Sequence, residues 1–297
     1  MNEVNGGDTE GMQPLITELP EVDVATLIDD LPGHLDQLLT GAGAIVIRQA
    51  FDADTIAEAR ALIMDYSSVD ADKVTHFQGQ NTDKLDLQRR VWNLVNKGEV
   101  FERMVQHPDI MTIVEAFLGN ECILGSLAAN RLLPGGPGQE PHIDYPYWDL
   151  YKRDSFPMNI NSTVPLNCQV TILLDDFTAE NGATAMLPTS QRELVYPNDP
   201  ELFAANAIRQ TGRAGDVVIF NGMCWHCAMP NNSDADRTGV LIEYLPKFIV
   251  PLEDQRRGVR QEVVDRSSPR LKRLLGHVYP YPQLLDEADA GNAEGKY

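Results

Sequence analysis

Val217-Val218-Ile219-Phe220, then Asn221-Gly222, then His226-Cys227-Ala228-Met229 is the stretch that decides the fold. A β-branched run meets turn residues and resumes as a second short run, too soon for a helix to intervene. The same rhythm fills the middle of the chain: Ile123–Leu133, Leu166–Leu174, Ala183–Leu187 and Val240–Leu245 are β-rich segments parted by Gly, Pro and Asn. Strands at this spacing predict a sandwich or barrel over residues 120–246. The preceding third reads as mainly helical around one strand, Gly43–Ile47. Glu21–Leu39 has a helical apolar period interrupted near Pro32-Gly33. Asp52 or Asp54 can cap a helix through Ile56, Ala59, Leu62 and Ile63. Val100–Leu118 reads as helix, Pro108, helix, ending at Gly119, and a weaker helical pattern returns over Ser268–Leu275. The chain is thus mainly β with flanking α. A single domain is expected over 15–285, with N-terminal helices at 21–118, the barrel at 120–246 and a C-terminal extension at 247–285. A disordered N-terminus (1–14) and a mobile acidic tail (286–297) are expected at either end.

Chemistry concentrates at His142-Ile143-Asp144 and at His226. Residues two apart in an extended strand point to one side. A distant His then completes two imidazoles and one carboxylate, a set that suits Fe(II) and leaves positions open for substrate and O2. Arg237, 11 residues beyond His226 (237 − 226), offers a permanent cation for a dicarboxylic co-substrate. His34, His76, His107 and His277 lie in helical or loop surroundings and need no role. Asp175-Asp176 reads as a solvated turn before Asn181-Gly182.

In order along the chain come Gln139-Glu140-Pro141-His142-Ile143-Asp144, Leu173 to Asp176, Glu180-Asn181-Gly182, and Leu187 to Ser190. Gly215 to Phe220, Trp225-His226, Asn231, Arg237 and Glu243-Tyr244 follow. This series over residues 120–246 resembles the phytanoyl-CoA dioxygenase-like branch of the Fe(II)/2-oxoglutarate oxygenases. The resemblance implies a double-stranded β-helix (a jelly-roll, cupin-like barrel) supported by N-terminal helices. It implies Fe(II) on His142, Asp144 and His226, with 2-oxoglutarate and O2 as co-substrates. Arg237 would bind the distal carboxylate of 2-oxoglutarate, Gln139 would help at its other end, and Thr171 and Asn130 are further contacts. Relatives often carry a hydroxyl two residues after the distal His, where this chain has Ala228. The carboxylate at position 144 favours hydroxylation, desaturation or a related oxidation over halogenation. Tyr145, Tyr147 and Trp148 follow the metal pair in a segment that leads into a loop reaching Pro165. They are candidate substrate contacts and equally candidates for packing the barrel rim, while Trp92 is a weaker substrate candidate for which core packing is favoured. Lys152 and Arg153 could meet a substrate anion or stay on the surface.

Net charge is −20, from 24 basic and 44 acidic residues. Such a field disfavours nucleic acid and anionic membrane partners, leaving a small-molecule substrate. There is no basic-then-apolar leader, no apolar run long enough for a bilayer, and no peroxisomal address at the C-terminus, so a cytoplasmic location is expected. The four cysteines read as reduced and buried; Cys224 and Cys227 have knuckle spacing but lack a second pair. The leading expectation is hydroxylation or another oxidation of a small organic metabolite, with a natural-product intermediate as a candidate. The rivals are a cupin-like metalloenzyme that does not use 2-oxoglutarate, and a catalytically silent small-molecule-binding protein of the same fold.

Overall fold

The structure, a computed structural model, describes residues 16–68, 76–77, 86–151, 164–193 and 195–278. The two expected tails, the last residues of the expected C-terminal extension, and Lys152-Arg153 lie outside these. Eleven strands are present among the described residues: β1 (Glu21–Val22), β2 (Ala44–Ile47), β3 (His76–Phe77), β4 (Gln88–Val91), β5 (Ile123–Leu132), β6 (Cys168–Leu173), β7 (Ala185–Met186), β8 (Ile208–Arg209), β9 (Val217–Asn221), β10 (His226–Cys227) and β11 (Arg237–Leu245). The helices are α1 (Leu31–Leu39), α2 (Ala53–Tyr66), α3 (Glu99–Met104), α4 (Pro108–Leu118), α5 (Tyr147–Tyr151), α6 (Pro200–Asn206), α7 (Gln255–Gly258), α8 (Gln261–Arg266) and α9 (Pro269–Leu274).

The long strand β11 organises the molecule. It pairs antiparallel with β5 on one side and β6 on the other, in an eight-stranded sheet ordered β1-β2-β9-β6-β11-β5-β4-β3. Alternation along β11 separates two environments. Val240, Ile242 and Tyr244 join Leu127, Ala129, Val170 and Ile172 in a core shared with α2, α3 and α4. Arg237, Leu241 and Glu243 take the opposite face and line a cavity. A three-stranded sheet, β10-β7-β8, forms the second layer. Met186 of β7 packs inward with Val218, Phe220 and Phe177, while its neighbour Ala185 packs outward with Ile143, Trp225 and Cys227. The architecture is a jelly-roll built from these two sheets.

Turn chemistry holds the ends of these strands. Gly182 has φ +85°, and a Cβ there would lie 2.3 Å from the Met229 carbonyl oxygen, so only glycine suits the place. Asn181 Oδ1 accepts from the Thr178 N–H and its Nδ2 donates to the Asp176 carbonyl. The Asp216 carboxylate accepts from the Gln49 and Arg213 backbone N–H groups and from Arg48. It pins the entry of β9 to the exit of β2.

Several expectations need correction. The first third supplies four strands to the large sheet rather than one, because Gln88–Val91 pairs with β5 and carries His76–Phe77 at its edge. Glu21–Val22 pairs parallel to β2 instead of opening a helix. Helix α1 begins beside Pro32 rather than breaking there, as suits a residue whose missing N–H falls among the unsatisfied donors of a first turn. The aromatic segment after the metal pair contains helix α5, and the loop expected from there to Pro165 lies mostly outside the described residues. Asp175 and Asp176 are more than a solvated turn. Asp175 is in an ion pair with Arg60 and accepts from the Thr238 N–H, and Asp176 accepts from the Ala214 N–H.

Candidate metal centre and its cavity

His142 and His226 face each other as an isolated antiparallel bridge. Each backbone N–H donates to the other's carbonyl, at 2.9 and 3.0 Å. This bridge joins residues 84 positions apart (226 − 142) and stacks their rings at 4.5 Å between centroids. Asp144, anchored by its N–H to the Gly222 carbonyl, sets one carboxylate oxygen 3.2 Å from His226 Nε2 and the other 3.9 Å from His142 Nε2. One ligand atom from each of the three lies within 4.8 Å of the others.

Orientation of the imidazoles comes from the backbone. His142 Nδ1 is 2.9 Å from the Glu140 carbonyl and His226 Nδ1 is 2.8 Å from the Cys224 carbonyl. Only a protonated Nδ1 can donate there, which leaves each Nε2 as a lone pair beside Asp144. Phe220 packs edge-on against His226 at 4.9 Å. Burial, and then the neighbouring His226, pull His142 down to about 4 despite Asp144, so it is a neutral ligand at pH 7. Burial pushes the Asp144 carboxyl up, but His226 outweighs it and the net shift is downward. Burial likewise opposes the charged form of His226, and Asp144 reverses the sign. A neutral imidazole, a second imidazole and an ionised carboxylate fit a divalent metal.

The cavity around these groups measures about 210 Å³. Arg237, 3 % exposed, enters it with Nε and Nη2 lacking hydrogen-bond partners. Its guanidinium carbon sits 4.9 Å over the Phe177 ring. Burial, and then the nearby Arg90, lower its pKa to about 10, still charged at neutral pH. A buried cation without an anion is unfavourable unless a ligand supplies one. Gln139, Thr171 and Asn130 line the same cavity, and Asn130 Oδ1 also lacks a partner. Gln139 Oε1 accepts from the Ala228 N–H, so the strand position without a hydroxyl is braced by the glutamine.

Of the substrate candidates, Tyr145, Trp148 and Trp92 line the cavity. Tyr147 does not. It is fully buried in the outer cluster with Ile143 and Trp225, and its hydroxyl accepts from the Leu166 N–H. Helical residues one apart project about 100° apart, so Trp148 facing the cavity turns Tyr147 away. Sequence reasoning missed Arg90, whose Nε is enclosed without a partner and whose guanidinium lies 5.4 Å from the Trp92 ring centroid. Burial lowers its pKa to about 10 against the pull of Asp144. Arg90 stands opposite Asn130 on β4; the Gln-Arg-Arg-Val run carried no strand signal strong enough to place it. Ser126, Gln169 and Glu243 were missed as lining residues for a similar reason, since only the register of three strands sets them side by side.

The profile of the phytanoyl-CoA dioxygenase (PhyH) family matches residues 39–239. The chain belongs to this family. It is an Fe(II)/2-oxoglutarate-dependent dioxygenase, and the His142-Asp144-His226 group is one that could hold a metal ion. Among relatives, the dioxygenase sphC of Aspergillus fumigatus is 24% identical over 286 residues, spanning 91% of this chain and 73% of that one. The dioxygenase trt7 of Aspergillus terreus is 24% identical, over 82% of this chain and 84% of its own. The fold is shared with the non-heme alpha ketoglutarate dependent epimerase SnoN from nogalamycin biosynthesis, at a TM-score of 0.59 and 18% identity, covering 76% of this chain and 87% of SnoN. SnoN is also known in complex with Fe3+, alpha ketoglutarate and nogalamycin RO. No described helix is long and apolar enough to cross a membrane. The four cysteines are free and buried.

Glu243 has a consequence for stability. Burial, and then Asp144, raise its carboxyl from the ordinary 4.5 to about 9; Glu253 adds to this and Tyr145 faces it too. Between those values the unfolded chain has released a proton that the folded protein keeps. The associated stability is therefore full below about 4.5 and falls as pH rises toward about 9. Glu243→Gln should flatten that part of the profile, read as the urea midpoint at about pH 5 and about pH 8.5. An unaltered slope would rule out a buried neutral carboxyl.

Proposed function

We propose that this enzyme hydroxylates, or otherwise oxidises, a small organic metabolite, a natural-product intermediate by class. His142, Asp144 and His226 would hold Fe(II), with Arg237 taking the distal carboxylate of 2-oxoglutarate. Arg90 and Asn130 would complete the polar wall. The observation that carries this reading is the buried, unpaired Arg237 guanidinium in the same cavity as the His-Asp-His group. A dianion is what a site with two enclosed guanidiniums calls for. Bound Fe(II) with 2-oxoglutarate couples decarboxylation of the co-substrate to succinate with oxidation of the substrate by O2. The chain's own part is to align the two imidazoles through the Glu140 and Cys224 carbonyls and to keep the anion's cradle out of water. The cavity is below the usual range for drug-sized ligands, which favours a compact substrate packed among Trp92, Tyr145 and Trp148. The names of the similar dioxygenases and of SnoN fit a role in natural-product formation.

Anaerobic titration with Fe(II) and then 2-oxoglutarate tests the assignment. A visible charge-transfer band should grow with one equivalent of each. A folded protein that binds Fe(II) but gives no band would point to the cupin-like alternative, and ligand binding without succinate formation would point to the silent one.

A further inference from the structure

The two ends of the cavity differ in chemistry. Arg237 and Glu243 lie on one face of β11, six residues apart, or about 20 Å at ~3.3 Å per residue. A five-carbon diacid spans roughly two extended residues, about 7 Å. A co-substrate anchored at Arg237 therefore cannot reach Glu243, and the carboxyl is left for something else.

In register with Glu243 stand Ser126 on β5 and Gln169 on β6. All three line the cavity beside Trp92, Tyr145 and Leu252. Glu243 is 1 % exposed. Its Oε1 accepts from Gln169 Nε2 at 3.4 Å and the Asn167 amide also acts on the carboxyl, while Oε2 is enclosed with no partner in hydrogen-bond geometry. A Cβ on Gly125 would come within 2.4 Å of that oxygen, so glycine makes the room it occupies. An unsatisfied buried oxygen in a ligand cavity is unfavourable unless a bound molecule pairs with it.

We propose that Glu243, oriented by Gln169 and flanked by Ser126, is the specificity-determining group for the primary substrate, and that it takes an uncharged oxygen function, a ketone or a hydroxyl. The proposal rests on the dioxygenase reading for its placement of the co-substrate. A carboxyl that burial keeps neutral offers one O–H donor and one acceptor oxygen; a ketone accepts from the first, and an alcohol can use both. A substrate carboxylate would be set against Asp144 and Glu253, both close enough to act on Glu243. A substrate ammonium would have to ionise Glu243 in a place where Arg90 and Lys97 already act on Glu253.

Four probes of one ring and different head groups test this: cyclohexanone, cyclohexanol, cyclohexylammonium and cyclohexanecarboxylate. Each is titrated into the Fe(II)·2-oxoglutarate complex, reading the shift of the charge-transfer band and the stimulated release of succinate. The ketone and alcohol should bind at least about tenfold tighter than the two charged rings, a difference of about 1.4 kcal/mol. Glu243→Leu should flatten the ranking and Glu243→Gln, which keeps a donor and an acceptor, should retain it. If Glu243→Leu does not fold, Gln169→Leu removes the amide that orients the carboxyl and should flatten the ranking too. A preference for a charged ring, no discrimination among the four (including no binding), or a ranking that survives loss of the carboxyl would overturn the proposal. Absence of the band in the wild-type protein would instead sink the dioxygenase reading on which it stands.

Discussion

Asp144→Ala should weaken Fe(II) binding by more than about 100-fold and take succinate formation to background. Outer partners of metal ligands are commonly worth 10–100-fold, and Asp144 is proposed here as a direct ligand. It is the one anion between two imidazoles, 3.2 Å from one and 3.9 Å from the other. Without it two neutral nitrogens face a dication. The fold should survive, because the local structure is held by the Asp144 backbone N–H on Gly222 and by the reciprocal bonds of His142 and His226. Fe(II) affinity by competition with a chelating dye, beside thermal unfolding of the apo-protein, separates the two. A variant with wild-type affinity would show that the metal lies elsewhere.

Arg237→Met should raise the KM for 2-oxoglutarate by about 30-fold to several thousand-fold, equivalent to the 2–5 kcal/mol lost when one partner of a buried charge pair is truncated. Arg237→Lys should fall between, since a lysine keeps the charge without the two-pronged donor geometry. The same Met substitution carries a second, opposite expectation. In the apo-protein Nε and Nη2 have no partners, so removing the desolvated cation should leave the melting temperature unchanged or higher. Lower apo stability together with normal 2-oxoglutarate kinetics would mark Arg237 as a structural residue.

The β-rich middle of the chain was legible because alternation and turn residues are local signals. Leu166–Leu174 and Val240–Leu245 announce β6 and β11, and Gly119 and Asp52 mark helix ends for stereochemical reasons that need no partner. The ligand trio and Arg237 were legible through their ordered spacing. Short strands were not. Gln88–Val91 has two arginines in only four residues, and becomes a strand only because β5 offers it a free edge. Tyr147 and Trp148 read alike as aromatic neighbours; a single turn of α5 sends one to the core and the other to the cavity.

The residue order alone therefore singled out the candidate groups: two imidazoles, a carboxylate and a guanidinium, set on runs that alternate as strands must. It could do so because ligand type and side-chain direction are properties of short stretches. Which side chains share one wall was decided by strand register, a long-range property. Arg90 opposite Asn130, and Glu243 between Ser126 and Gln169, exist as neighbours only after β4, β5, β6 and β11 have paired. A shift of one residue in that pairing would turn every one of them to the other face.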